Sequence, residues 1–352
     1  MKMIHGGDIY HYENILDFSA NINPLGTPEK VIEAVKNSLN DIVHYPDITC
    51  EALRAKIAKK EQVEKETVIC GNGAADLIYR LVFAKKPKRA LVLAPGFAEY
   101  EQALKAYGTT VIHYYLNHKD FRLDETFLEA LTEDLDMLCI CSPNNPTSAV
   151  IEPELLQRIS SVCKEKEIFL LMDECFNDFL EEPEKYTLLE TAKKEKYIFI
   201  LKAFTKMYGM AGIRLGYGIC TDRILLEKMY EAGPPWNVSV LAQKAGIAAL
   251  EERDYPKITR EYIKKEKEKL YEKLDKLGIQ YWKTEANYIF FKEKKGLKEL
   301  FLEKGILIRD CSNYEGLEEG YYRIAVKSEE DNERLIETWE KIEADNKIVK
   351  KK

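Results

Sequence analysis

Through the middle of the chain the apolar positions come in short, nearly unbroken runs. Residues 68–70, 89–94, 110–114, 137–142, 168–172, 197–202 and 215–220 are such runs. Turn signals or polar residues close several of them: Gly71-Asn72-Gly73, Pro95-Gly96, Pro143-Asn144-Asn145-Pro146 and Asp173. Runs this short, apolar nearly throughout, predict strands buried on both faces of a sheet. Helical patterns such as 74–83 and 154–166 lie between them and predict crossover connections. The expected fold class is α/β: a mostly parallel, seven-stranded sheet with helices on both faces. Near Tyr255 the texture changes. A long charged helix over 258–277 leads to a strand-like 286–291 and a helix at 297–304. Strands around 306–309 and 321–326 follow, then a last helix from 329 to about 344. This predicts a smaller α+β domain over 251–345 beside a large domain over 41–250. Residues 1–40 are expected to join the small domain, and 346–352 form a basic tail.

A length of 352 residues suits two domains of that kind. With 45% hydrophobic and 32% charged residues the chain has the composition of a globular protein rather than a disordered one. The net charge of −7 argues against a surface that binds nucleic acid by bulk charge. No apolar stretch approaches the ~18 residues of a membrane span. Residues 1–7 lack the apolar run of a signal peptide, so a cytoplasmic protein is expected. Eight scattered cysteines with no Cys-x-x-Cys pair suggest small buried residues, with neither disulfides nor a metal site. The Lys/Glu face over 263–276 reads as solvated rather than as a binding patch.

The candidate chemistry lies where polar residues end the apolar runs, because open α/β sheets bind ligands beyond the carboxyl ends of their strands. Gly73, Ala74 and Ala75 open a helix whose free N–H groups suit an anion, or form an ordinary strand–helix turn. Asn145 follows one strand. Asp173-Glu174 end another, where a carboxylate must be paired or serve as a helix cap. Lys206 stands among Phe, Met, Ala and Gly, with Arg214 eight residues on. Desolvation there would make its amine nucleophilic; the alternative is a lysine that snorkels to solvent. Together these groups suggest pyridoxal 5′-phosphate. That cofactor needs an amine for a Schiff base, an anion at its pyridine nitrogen, a donor to its phenolic oxygen, an aromatic face and a phosphate cup. Lys206, Asp173, Asn145, Phe97 and the Gly73–Ala75 turn with Arg214 would supply them.

Motifs occur in order along the chain: Asn21–Gly26, Tyr45-Pro46-Asp47, Gly71–Ala74, Pro95-Gly96-Phe97, Ser142–Thr147, Asp173-Glu174, Thr205-Lys206, Arg214–Tyr217 and Tyr322-Arg323-Ile324. In this set the sequence resembles the fold-type I, class I/II aminotransferase superfamily over almost its whole length. The resemblance implies that Lys206 carries the cofactor and shuttles protons, and that Asp173 pairs with the pyridine N–H. It assigns Asn145 to the phenolic oxygen, Phe97 to the ring face, and Ala74, Ala75, Thr205 and Arg214 to the phosphate. Tyr45 would reach the phosphate of a neighbouring subunit's cofactor, which implies a homodimer with shared sites. Arg323 would pair with the substrate carboxylate. Two positions depart from the common pattern: Phe176 cannot donate to the phenolic oxygen, and Ala203 removes a phosphate donor.

Two subgroups are nearest in resemblance, histidinol-phosphate aminotransferase and threonine-phosphate decarboxylase of cobalamin biosynthesis. The segments His5–Ile9, Leu16–Gly26 and Ile308–Tyr314, with Phe176, look like the decarboxylase. The expected reaction is decarboxylation of L-threonine O-3-phosphate to (R)-1-amino-2-propanol O-2-phosphate, with an amino-acid aminotransferase as the alternative. His5, Asn23, Asn145, Arg309 and Arg323 are the expected substrate residues. The alternative for His5 is a poorly ordered terminal residue.

Overall fold

In the computed structural model, which describes residues 5–349, the seven apolar runs become seven strands of one sheet. After a short β1 (Leu16–Asp17) they are β2 (Val68–Gly71), β3 (Arg89–Ala94), β4 (Thr110–Tyr115) and β5 (Met137–Cys141). Then follow β6 (Phe169–Asp173), β7 (Ile198–Ala203) and β8 (Gly216–Ile219). The spatial order is β2-β8-β7-β6-β5-β3-β4. Neighbours from β4 to β7 are parallel, and β8 runs antiparallel to both β7 and β2.

The unbroken apolar runs have a direct cause. Successive side chains of a strand point to opposite faces, and both faces here carry an apolar cluster. Leu91, Leu93, Leu138, Ile140, Leu170 and Met172 belong to one; Ala90, Val92, Met137, Cys139 and Leu171 belong to the other. Helices cover both faces, as the sequence predicted. The helices at Glu29–Asn37, Glu51–Glu61, Arg223–Glu231 and Val240–Ala249 add to those anticipated.

The remaining strands are β9 (Gln280–Trp282), β10 (Tyr288–Lys292), β11 (Ile306–Leu307), β12 (Arg309–Asp310) and β13 (Tyr321–Ala325). Four make an antiparallel sheet of order β12-β13-β10-β9. The strand expected around 306–309 is split at Ile308. Its first half, β11, pairs in parallel with β1, and its second half joins β13. The long charged helix spans Tyr255–Leu277, starting earlier than expected because Pro256 is tolerated in a first turn. The last helix runs on to Val349. Of the expected basic tail, residues 350–352 lie outside the described residues, as do residues 1–4 of the N-terminal stretch. All eight cysteines are free; seven are buried and Cys175 is partly exposed. Among the described residues no helix is long and apolar enough to cross a membrane, and no cluster of His, Cys, Asp or Glu is placed to hold a metal ion.

Candidate active site

The carboxyl ends of β5, β6 and β7 open into one cavity of about 140 Å3. Asp173, the last residue of β6, is buried there. One of its carboxylate oxygens accepts from the Tyr100 hydroxyl, the other from the Cys175 N–H at 2.9 Å. Burial pushes its carboxyl above the ordinary range despite these donors. Its neighbour Glu174 points elsewhere. It meets Lys202 at 3.6 Å and accepts from Thr187 and the Leu188 N–H, in a buried cluster that includes Glu61. Neither acid of the pair caps a helix.

Lys206 follows β7 in the short helix Phe204–Met207. Burial, then the charges of Arg323 and Arg214, lower its ammonium to about 8. A nearby amine that sheds its proton this easily is a nucleophile near neutral pH. The Phe176 ring lies 5.7 Å away. Phe97 and Asn145 line the same cavity. Asn145 Oδ1 is occupied by the Arg323 guanidinium and the Tyr314 hydroxyl, which leaves Nδ2 to donate.

The cavity's far wall is the start of the helix Ala74–Lys85, with Ala75, Thr205 and Arg214 beside it. Two glycines allow this closeness. Gly73 has φ +85°, and a Cβ there would lie 2.5 Å from Arg214 Nη2. A Cβ at Gly216 would lie 2.7 Å from the Ala74 nitrogen. A helix N-terminus, a hydroxyl and a guanidinium thus converge on a cradle without side chains, which suits a phosphate. At the opposite end sits Asp173, a buried carboxylate that a cation would stabilise. The amine, the anion, the aromatic ring, the amide donor and the cradle all face one space, so the residues fit pyridoxal 5′-phosphate.

The cavity opens to a wider mouth of about 360 Å3. Arg323 of β13 is buried there, donating to Asn145 and to the Ser19 carbonyl. Its Nε, Asn21 Oδ1 and Glu99 Oε2 are buried without partners. All three residues line this mouth. A ligand with both acceptor and donor groups would satisfy them. His5 also lines the mouth, with Nε2 2.8 Å from Glu99 Oε1.

Three expected residues lie elsewhere. Arg309 lies opposite Arg323 on β12 but lines adjoining hollows that it shares with His5. It donates to the Asp310 carbonyl and to Asn313 Oδ1. Asn23, expected at the substrate, instead ties the chain's interior together. Its amide donates to the Met207 carbonyl and Thr259 and accepts from the Leu25 N–H. Those bonds use its capacity, and it lines neither the cavity nor the mouth. Tyr45 lies on the exposed surface, stacked on Trp236 with ring centroids 4.7 Å apart. The sequence reading also missed residues. Tyr100 sits in the first turn of the helix that Phe97 precedes, a spacing that reads as ordinary core. Glu99 reads as an acid favoured by a helix's first turn. Asn21 and Ser19 lie in the Leu16–Gly26 segment that carries the resemblance, but the sequence reading gave neither a role.

The profile of the family described as aminotransferase class I and II matches residues 13–338. A threonine-phosphate decarboxylase of Salmonella typhimurium is 37% identical over 345 residues, covering 94% of each chain. A histidinol-phosphate aminotransferase of Caldicellulosiruptor saccharolyticus is 31% identical over 336 residues, covering 94% of this chain and 92% of that one. The crystal structure of the histidinol-phosphate aminotransferase from Clostridium acetobutylicum superposes with a TM-score of 0.88 at 29% identity. It covers 94% of this chain and 100% of its own.

Proposed function

The chain belongs to the class I and II aminotransferase family, whose cofactor is pyridoxal 5′-phosphate, and on that premise we propose that it decarboxylates L-threonine O-3-phosphate to (R)-1-amino-2-propanol O-2-phosphate. The observation that carries this reading is at the mouth: a segment near the N-terminus brings His5 beside the space that Lys206 and Arg323 share. A substrate with two anionic groups needs more than one donor group, and the Arg323 guanidinium and the His5 imidazole supply them, with Arg309 next door. The decarboxylase relative from Salmonella supports the choice.

Each residue then has a task. Ala74, Ala75, Thr205 and Arg214 would hold the cofactor phosphate, Phe97 its ring, and Asn145 its phenolic oxygen. Asp173 would keep a proton on the pyridine nitrogen, with Tyr100 fixing the carboxylate. When bound, the cofactor is an electron sink for whichever bond to the substrate α-carbon the pocket holds perpendicular to its ring. Arg323 and His5 decide that orientation by where they hold the substrate's anions. Lys206 would carry the cofactor, and its amine would move a proton at the substrate α-carbon. Tyr45 would act across a homodimer, from an exposed apolar patch that includes Ile42 and Val43.

The test is an assay of cofactor-loaded protein with L-threonine O-3-phosphate, following CO2 and product amine. CO2 released with no added 2-oxo acid is the expected result. Amino transfer to 2-oxoglutarate from L-histidinol phosphate, with no CO2 from the first substrate, would replace this reading by the aminotransferase one. That second reading has support in the Caldicellulosiruptor and Clostridium relatives.

A further inference from the structure

Among the residues lining the mouth, Glu99 is the single carboxylate, while His5, Lys206, Arg214 and Arg323 line the same space. It sits in the first turn of the helix Ala98–Tyr107, two residues after Phe97. A carboxylate in a site built for anions opposes ligand binding unless its charge is used locally. The geometry shows the local use. Oε1 is 2.8 Å from His5 Nε2, and the Glu99 side chain is 13% exposed against 47% for His5. Glu99 is therefore the fixed partner and His5 the held one.

His5 begins the described part of a strap, residues 5–19, that forms no helix to hold it. The strap folds back on itself at Ser19: a Cβ on Gly6 would fall 2.3 Å from the Ser19 carbonyl oxygen, and the Gly7 N–H donates to Ser19 Oγ at 2.8 Å. The Ser19 carbonyl in turn accepts from Arg323. One end of the strap is thus anchored to the residue that binds Arg323. Toward the tip, the polar contact of His5 among the described residues is with Glu99. The imidazole also lies against Phe97, with ring centroids 6.4 Å apart.

We propose that Glu99 is a positioning residue for substrate selection: it clamps the His5 imidazole at the mouth, and this fixed imidazole makes the site prefer a phosphate ester to its phosphate-free counterpart. This rests on the reading above that the substrate carries a phosphate. Glu99 itself need not touch the phosphate. Its effect runs through His5, and that sets it apart from a residue that only stabilises the helix.

The test compares the holoenzyme with Glu99→Gln, Glu99→Asp, His5→Asn and the Glu99→Gln/His5→Asn double variant. Binding is read from the cofactor absorption band during titration with L-threonine O-3-phosphate and with L-threonine. Cofactor content and Tm confirm that each variant is folded; if Glu99→Gln does not fold, His5→Asn alone should lose the same preference for the phosphate ester, and its keeping that preference would overturn the proposal. Glu99→Gln should weaken the phosphate ester about tenfold, the scale of a lost charged hydrogen bond, and L-threonine less than about twofold. The loss should fall on KM more than on kcat. Glu99→Asp should recover most of the preference. In the His5→Asn background Glu99→Gln should add almost nothing, because residues that act as a unit are not additive. Equal weakening of both ligands, unchanged binding, or additive losses in the double variant would overturn the proposal. Where the wild type binds L-histidinol phosphate and not L-threonine O-3-phosphate, the substrate reading fails, and the same variants with L-histidinol phosphate against L-histidinol decide the role of Glu99. Binding of neither ester overturns both.

Discussion

Asp173 and Glu174 are adjacent acids at the end of one strand, and alternation sends them to opposite sides of the sheet. Asp173 faces the cavity and Glu174 the ion cluster behind it. Replacing Asp173 with Asn keeps the shape and removes the charge. Turnover should fall at least about 100-fold, the lower range for a positioned acid–base group, while the variant still takes up cofactor. Near-normal turnover would show that the cofactor's pyridine end lies elsewhere. Lys206 gives a second expectation. Its folded pKa of about 8 lies below the ordinary lysine value of about 10.4, so the amine is free above pH 8 rather than only above pH 10. In cofactor-free protein, acylation of Lys206 followed by peptide mass spectrometry should rise through a midpoint near pH 8. A midpoint near that of exposed lysines would contradict the desolvated setting.

At the scale of elements, the strand ends work because of what lies behind them. Lys202 of β7 meets Glu61 at 3.5 Å and Glu174 at 3.6 Å, and the Tyr217 hydroxyl donates to Glu61. Burial alone would lower the Lys202 pKa, but Glu61, Asp178 and Glu174 outweigh it and raise it. Lys202→Met takes the cation from buried Glu174 and leaves Glu61 with Lys60, and should cost about 3–5 kcal/mol, read as a lower denaturant midpoint. The phosphate cradle is as exacting. Gly73→Ala adds a Cβ against Arg214 at φ +85°, ψ 167°, a backbone region that is essentially glycine's alone and costs other residues about 1–3 kcal/mol. Cofactor affinity in equilibrium titration should fall roughly tenfold. The sequence made β3, β5, β6 and β7 readable because each is short, apolar throughout and stopped by a turn or a polar residue. It did not make β1 readable, and it ran β11 and β12 together as one strand. Two-residue strands have no period, and their pairing depends on partners far along the chain. The cavity residues were legible for a related reason: a lysine, an aspartate and an asparagine at apolar strand ends contradict their surroundings. Glu99 and Tyr100 do not contradict theirs, since both suit a helix, and only the fold turns them toward the site. Asn23 shows the opposite error, a polar residue in a suggestive motif whose bonds are spent inside.

For the whole molecule, the apolar surface of residues 39–48 is the feature that a single chain leaves unexplained. Leu39, Ile42, Val43, Tyr45 and Ile48 are all exposed, with Trp236 stacked on Tyr45. A second copy covering this face would place Tyr45 at its neighbour's cofactor, as the family resemblance implies. Val43→Asp should then shift the mass measured by light scattering from dimer to monomer and weaken cofactor retention with it. A monomeric wild type with full cofactor would remove both Tyr45 and the shared site from the account.

The bond from Arg323 to the Ser19 carbonyl spans 304 positions of sequence. β1 likewise waits for β11 before its edge is paired. During synthesis, at roughly 5–20 residues per second, the early segment bearing His5 and Ser19 is exposed for about 15–60 s before its partners leave the ribosome. The cavity walls between β2 and β8 can form in that interval, but the mouth cannot. A nascent chain should therefore become able to capture cofactor before it can choose among substrates.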